Sequence, residues 1–207
     1  MTQKGTLIVL SGFSGAGKGT VVKELLSRYD NYALSVSATT RKPREGEVDG
    51  REYFFKSREE FLQMIEKNML IEYAEYVNNY YGTPKEYVIK QLEAGKNIIL
   101  EIEIQGALNI KKQFPDAILM FITPPDGREL EKRLYGRGTE DDATVRARLK
   151  RAYEEADYAG SYDYIVVNDD LDECVSTINS IIESEKYRAS KKLSLIQNIK
   201  KDLERFN

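Results

Sequence analysis

The chain has 207 residues, a length that suits one large domain or one domain with insertions. It is 41% hydrophobic and 31% charged with a formal net charge of −3, enough apolar residues for a core and no basic excess of the kind that binds nucleic acid or anionic membranes non-specifically. It contains no histidine, which excludes Ser-His-Asp triads, Cys-His pairs and histidine-ligated zinc.

In chain order, Thr6 to Leu10 reads as a strand, followed by a glycine-rich turn and a helix from about Lys18 to Tyr29. Residues 34 to 83 are rich in Ser, Thr and Tyr with short alternating runs, Leu34–Ala38 and Leu70–Val77, and read as a β-rich insertion. Within it, Ser57 with Glu60 marks a helix start before Phe61, Leu62, Met64 and Ile65. A helical pattern over Lys85–Ala94 is closed by Gly95. Buried strands follow at Ile98–Ile102, Ala117–Ile122 and Tyr164–Val167, with helices near Ala107–Phe114, Gly127–Tyr135, Asp141–Ala159 and from Leu171 onward. Asp126 with Glu129 opens the second of these helices. Leu193, Ile196, Ile199 and Leu203 have helical spacing, which predicts an amphipathic C-terminal helix docked on the core or on a partner subunit. Alternating strands and helices point to an α/β fold with a largely parallel sheet.

The longest apolar run, Ala117–Ile122, is six residues, against roughly 20 for a membrane span. Leu7–Leu10 is too short for an export signal, and the lone Cys174 suits a reducing compartment, so the expected location is cytoplasmic.

Gly12-Phe13-Ser14-Gly15-Ala16-Gly17-Lys18-Gly19-Thr20 lies directly between the first strand and the first helix. Glycines allow consecutive N–H groups to turn inward on phosphate oxygens, the helix N-terminus adds partial positive charge, and Lys18 brings an ammonium to the β- and γ-phosphates. G-x-x-x-x-G-K alone arises by chance in roughly one chain of this length in twenty; a preceding strand and a following helix make it far rarer. The usual Ser or Thr after the lysine is replaced by Gly19, which leaves Thr20 or a water to help hold Mg²⁺. Further on, Arg41 and Arg44 flank Pro43, which biases Lys42 to an extended geometry in which two guanidinium forks can face one phosphate, or simply form a solvated basic loop.

These pieces occur together and in order with Glu47-x-x-Gly-x-x-Tyr53-x-Phe55, Tyr81-Gly82-Thr83, Gln105-Gly106-Ala107, Arg133 with Arg137, and Val167-Asn168-Asp169. The assembly resembles the guanylate kinase family over about residues 5–184. The resemblance implies a P-loop nucleoside monophosphate kinase-like parallel sheet flanked by helices. Its core would be 5–33, 96–125 and 160–184, with a GMP-binding insertion at 34–95, a helical lid at 126–159 and a tail at 185–207. It also implies transfer of the γ-phosphoryl group of ATP to GMP, with Mg²⁺ as cofactor and dGMP as a further acceptor, and no nucleic-acid or membrane partner.

By the same resemblance, Lys18, Arg41, Arg133, Arg137 and Arg148 are the catalytic cations. Gly12 through Thr20 and Asn168 bind ATP. Arg41, Arg44, Tyr53 and Tyr81 hold the GMP phosphate, Ser37, Glu72 and Thr83 read the guanine, and Glu101 and Glu103 form an acidic pair whose individual roles stay open. Two rival readings are a kinase of another nucleoside monophosphate and a non-catalytic guanylate-kinase-like binding module. The Ser37/Glu72/Thr83 set argues against the first and the intact phosphate loop against the second.

Overall fold

The computed structural model describes residues 4–76, 78–136 and 141–206. In chain order the elements are β1 (Leu7–Gly12), α1 (Lys18–Arg28), β2 (Tyr32–Leu34), β3 (Ala38–Thr39), β4 (Phe54–Phe55), α2 (Arg58–Glu66), β5 (Leu70–Tyr76) and β6 (Asn79–Pro84). Then come α3 (Lys85–Glu93), β7 (Asn97–Glu101), α4 (Ile104–Gln113), β8 (Ile118–Thr123), α5 (Gly127–Gly136), α6 (Asp142–Ala156), β9 (Tyr164–Val167), α7 (Leu171–Glu185) and α8 (Ala189–Leu203).

Five strands form a parallel sheet in the order β2-β7-β1-β8-β9. Successive side chains of a strand point to opposite faces, and β1 divides accordingly. Ile8 and Leu10 join Val21, Leu25, Met120 and Ile178 beneath α1 and α7. Leu7 and Val9 join Leu100, Leu119, Ala107 and Ile110 beneath α3 and α4. Coverage on both faces is why β1, β7 and β8 read as continuous apolar runs rather than alternating ones.

The helix starts expected from sequence form. The Ser57 hydroxyl accepts from the Glu60 N–H at 3.1 Å while the Glu60 carboxylate accepts from the Ser57 N–H at 2.6 Å, a reciprocal capping box. Asp126, Asp141 and Asp170 each accept an N–H three residues on, at 2.8 to 2.9 Å. Gly95 follows α3 with φ 81°, the left-handed conformation of a helix-ending glycine.

A second sheet, β4-β3-β6-β5, is mostly antiparallel and rests on α2 through Phe61, which stacks on Tyr80 with ring centroids 5.4 Å apart. Three features differ from the sequence reading. The run expected at Leu34–Ala38 is divided: Tyr32–Leu34 extends the main sheet beside β7, and Ala38–Thr39 belongs to the second sheet. Tyr32 is drawn inward because its ring is buried and its hydroxyl donates to Asn179 of α7 at 2.8 Å. Next, α3 falls within the 34–95 segment by sequence, yet Val88 and Leu92, four residues apart on one helical face, pack into the main core. Finally, α8 is a helix as expected, but no residue of it is buried, and Leu193, Ile196, Ile199 and Leu203 are 45–57% exposed. It does not dock on this chain's core.

The strand ends of β1, β7, β8 and β9 open on one edge of the parallel sheet, the place where open α/β sheets build their ligand sites.

Candidate active site

The loop from β1 to α1 turns through glycines in left-handed conformations, Gly15 at φ 94° and Gly17 at φ 88°. A Cβ at Gly17 would lie 2.6 Å from the Asn168 amide nitrogen, so the loop and the end of β9 are in close approach there. Lys18 opens α1 and folds its ammonium back over the loop, donating to the carbonyls of Gly12 at 2.7 Å and Phe13 at 3.1 Å. Gly19 and Thr20 are exposed in the first turn of α1.

Asn168, expected toward the ATP side, is buried and acts as a brace. Its amide donates to the Ala16 carbonyl at 2.8 Å, its backbone N–H donates to Thr123 at 2.7 Å, and its carbonyl accepts from Arg133 at 2.9 Å. Arg133 is aimed by Glu129, which accepts its Nε–H at 2.8 Å one turn earlier on α5. From α6, Arg148 donates to the Ser14 hydroxyl at 2.8 Å. Arg148 thus reaches the phosphate loop itself and Arg133 reaches Asn168, which braces it, on helices whose Leu130, Leu134 and Val145 pack together against Phe13. Arg137 lies outside the described residues.

Beside the second sheet, Arg41 pairs with Glu47, and its guanidinium lies 5.2 Å from the Tyr53 ring centroid and 5.8 Å from that of Phe55. Tyr53 meets Tyr81 edge-on at 6.0 Å, so the structure gathers Arg41, Tyr53 and Tyr81 into one cluster. The Arg44 backbone N–H donates to Glu47 at 2.6 Å, while its side chain stands in solvent.

Glu72 on β5 and Thr83 on β6 meet across the second sheet: the fully buried Thr83 hydroxyl donates to the Glu72 carboxylate at 2.7 Å. Burial pushes the Glu72 carboxyl up, and the Thr83 hydrogen bonds only partly offset this. The other carboxylate oxygen faces Gly106 in the first turn of α4, 3.5 Å from where a Cβ would stand. Ser37 is half-buried just before β3, its carbonyl accepting from the Phe54 N–H at 2.8 Å.

The two glutamates after β7 part company. Glu101 ends the strand facing the start of α1, with its carboxylate 3.9 Å from the Cβ position of Gly19. The surrounding chain strips enough water to raise its carboxyl, with Lys18 pulling the other way. Glu103 instead turns to α6, where Arg151 donates to it at 2.6 Å.

The chain thus carries a phosphate loop braced by Asn168, a cationic aromatic cluster and a carboxylate that burial disfavours. The profile of the family described as Guanylate kinase matches residues 4–185. The chain belongs to the guanylate kinase family. It is 50% identical over 200 residues to a guanylate kinase of Caldanaerobacter subterraneus, covering 97% of each chain. It is 52% identical over 188 residues to one of Bacillus cereus, covering 90% of this chain and 92% of the other. Its fold matches the crystal structure of guanylate kinase from Anaplasma phagocytophilum with a TM-score of 0.71 at 33% identity, covering 91% of this chain and 90% of that one.

Within this guanylate kinase site, two residues escaped the reading of the sequence. Glu47 opens the motif that ends at Phe55, and its place six residues after Arg41 in a turn is the signal that points to the pair. Arg151 left no signal at all. It meets Glu103 across 48 residues, and only the packing of α6 brings the two together.

Proposed function

We infer that this chain transfers the γ-phosphoryl group of ATP to GMP, giving ADP and GDP. The observation that carries the reading is the pairing of two anion-binding groups, Lys18 with its loop and Arg41 with Tyr53 and Tyr81, alongside a carboxylate held by Thr83. Family membership over nearly the whole chain supports it.

The acceptor is a phosphate monoester with a second pKa of about 6, mostly dianionic at neutral pH, so no general base has a proton to remove. This agrees with a chain that has no histidine. What the reaction needs is in-line placement of two anions and stabilisation of charge shifting toward the β–γ bridge. Lys18 and the loop amides grip the donor phosphates, and Arg133, Arg148 and Arg137 complete the cationic surround as charge moves. Arg41 and Arg44, with Tyr53 and Tyr81, hold the acceptor phosphate. Glu72 accepts from the N1–H and N2–H₂ donors of guanine, with Thr83 steadying the carboxylate and Ser37 bordering the base.

Among the described residues no group of three or more acidic, cysteine or histidine side chains could hold a metal ion. The Thr20 hydroxyl in the first turn of α1 and the Glu101 carboxylate facing that turn are oxygen donors suited to Mg²⁺ carried in chiefly by ATP. Held there, Mg²⁺ would supply charge neutralisation for the donor phosphates. Thr20, with Glu101 acting directly or through water, would hold it.

An assay coupling ADP release to a panel of nucleoside monophosphates tests the reading. GMP is expected to turn over far faster than AMP, CMP or UMP. Preference for another monophosphate, or no turnover with any, overturns it.

A further inference from the structure

The Arg41–Glu47 pair raises a question that the phosphate-binding reading of Arg41 does not answer: a guanidinium already engaged by a carboxylate must still have donors to offer. The atoms involved answer it. A guanidinium carries five N–H donors in a fixed plane, with two bidentate edges, Nη1/Nη2 and Nε/Nη2. Glu47 takes the first edge, its Oε2 accepting from Nη1 at 2.9 Å and its Oε1 from Nη2 at 2.8 Å. The other Nη1 proton goes to the Lys42 carbonyl at 2.8 Å. The Nε–H and the second Nη2–H, which point the same way, are taken by neither. The Tyr81 hydroxyl bears on this guanidinium through its charge and a hydrogen bond, both secondary to Glu47, so it shares the site that the open edge faces.

Glu47 also fixes the turn between the two arginines. The same Oε2 accepts the Arg44 N–H at 2.6 Å, and the Glu47 N–H returns to the Arg44 carbonyl at 3.1 Å. Both side chains of the pair are largely shielded, 15% exposed for Arg41 and 17% for Glu47, with Tyr53 and Phe55 beside the guanidinium.

We propose that Glu47 is a positioning residue that presents the Nε/Nη2 edge of Arg41 to the acceptor phosphate and sets where Arg44 leaves the turn, without touching substrate itself. The inference rests on the reading of Arg41 as a ligand of the GMP phosphate. Arg41 and the Arg44 N–H hold the Glu47 carboxyl below its ordinary value, so it stays ionised at neutral pH.

The test compares Glu47→Gln, Arg41→Ala and the double variant. Glutamine keeps the size but sets an NH₂ group against a guanidinium donor, so the plane loses its anchor. Glu47→Gln is expected to raise the KM for GMP about tenfold, with kcat and the KM for ATP changed by less than about twofold. Guanosine, which has no phosphate, should bind Glu47→Gln as it binds the wild type by calorimetry. In the Arg41→Ala background the second substitution should add clearly less than its roughly tenfold effect in the wild type, because only its hold on Arg44 is left to lose. Glu47→Asp, charged but one methylene short, should fall between the wild type and Glu47→Gln. An unchanged or lower KM for GMP in folded Glu47→Gln, its full effect retained without Arg41, or an equal loss of guanosine binding would each overturn the proposal. If Arg41→Ala itself leaves the KM for GMP unchanged, the phosphate reading fails and this inference with it. If Arg41→Ala raises it while Glu47→Gln is silent, only the role of Glu47 fails.

Discussion

Glu72 and Thr83 sit on neighbouring antiparallel strands with the Thr83 hydroxyl donating to the Glu72 carboxylate at 2.7 Å, a charge held at a site that burial makes unfavourable for it. An acceptor so placed is costly in the empty protein and useful only against a ligand with donors to give.

Glu72→Gln is therefore expected to act in opposite directions on activity and stability. It should cut kcat/KM for GMP by roughly ten- to a hundredfold and narrow the gap to AMP, since the amide offers adenine N1 a donor. It should also raise Tm at pH 7. Burial lifts the folded-state carboxyl above the ordinary value of 4.5, so the folded protein binds this proton more tightly than the unfolded chain. The stability from that linkage is whole below 4.5 and is lost as pH rises through the lifted value. The Tm advantage of the variant should accordingly shrink as the pH is lowered from 7 toward 4.5. Melts across that range, with kinetics on both monophosphates, check it; an unchanged GMP-to-AMP ratio removes Glu72 from the base-reading site.

Lys18→Ala should lower kcat by roughly a hundred- to a thousandfold, the scale for losing one preorganised charge donor. Its ammonium hangs over the loop carbonyls of Gly12 and Phe13. GMP binding measured directly by calorimetry should survive. Undiminished turnover would show that the loop does not grip the donor phosphates.

Gly17→Ala combines a left-handed backbone at φ 88° with a Cβ 2.6 Å from the Asn168 amide nitrogen, and so breaks the bond from Asn168 to Ala16. The expected cost is about 1–3 kcal/mol with a raised KM for ATP. Gly46→Ala is the control, left-handed at φ 84° but with nothing within 4 Å of its Cβ, and should cost less and leave the KM for ATP alone. Equal melts for the two variants would mean that the Asn168 brace contributes nothing.

Ending the chain after Arg188 should leave kcat and the Tm of the monomer nearly unchanged, because α8 buries no residue. Arg188 is kept because it donates to Glu185 at 2.9 Å. Light scattering on both forms shows whether the exposed stripe of Leu193, Ile196, Ile199 and Leu203 pairs between copies, which a smaller particle for the truncated form would reveal. A large loss of kcat in a folded truncate would mean that the tail completes the site.

What the sequence determined by itself was set within a few residues, although the Arg41–Glu47 pair shows that not every short-range contact was legible. The glycine-rich turn, the Ser57–Glu60 box, the Asp126 cap and the Gly95 stop depend on spacings of at most five or six residues, where backbone geometry leaves few outcomes. The continuous apolar strands likewise announced a sheet covered on both faces. The tertiary structure decided the rest, because contacts between distant segments depend on which faces and registers meet. Tyr32–Leu34 joins the main sheet by pairing with Asn97–Ile99, and the Tyr32 hydroxyl reaches Asn179, 147 residues away. Asn168 became the brace of the phosphate loop across 152 residues, and Glu103 became a partner of Arg151 rather than a twin of Glu101. The amphipathic spacing of α8 foretold a helix with an apolar stripe, but not what the stripe faces, since periodicity records that a face is apolar and carries no information about the surface opposite.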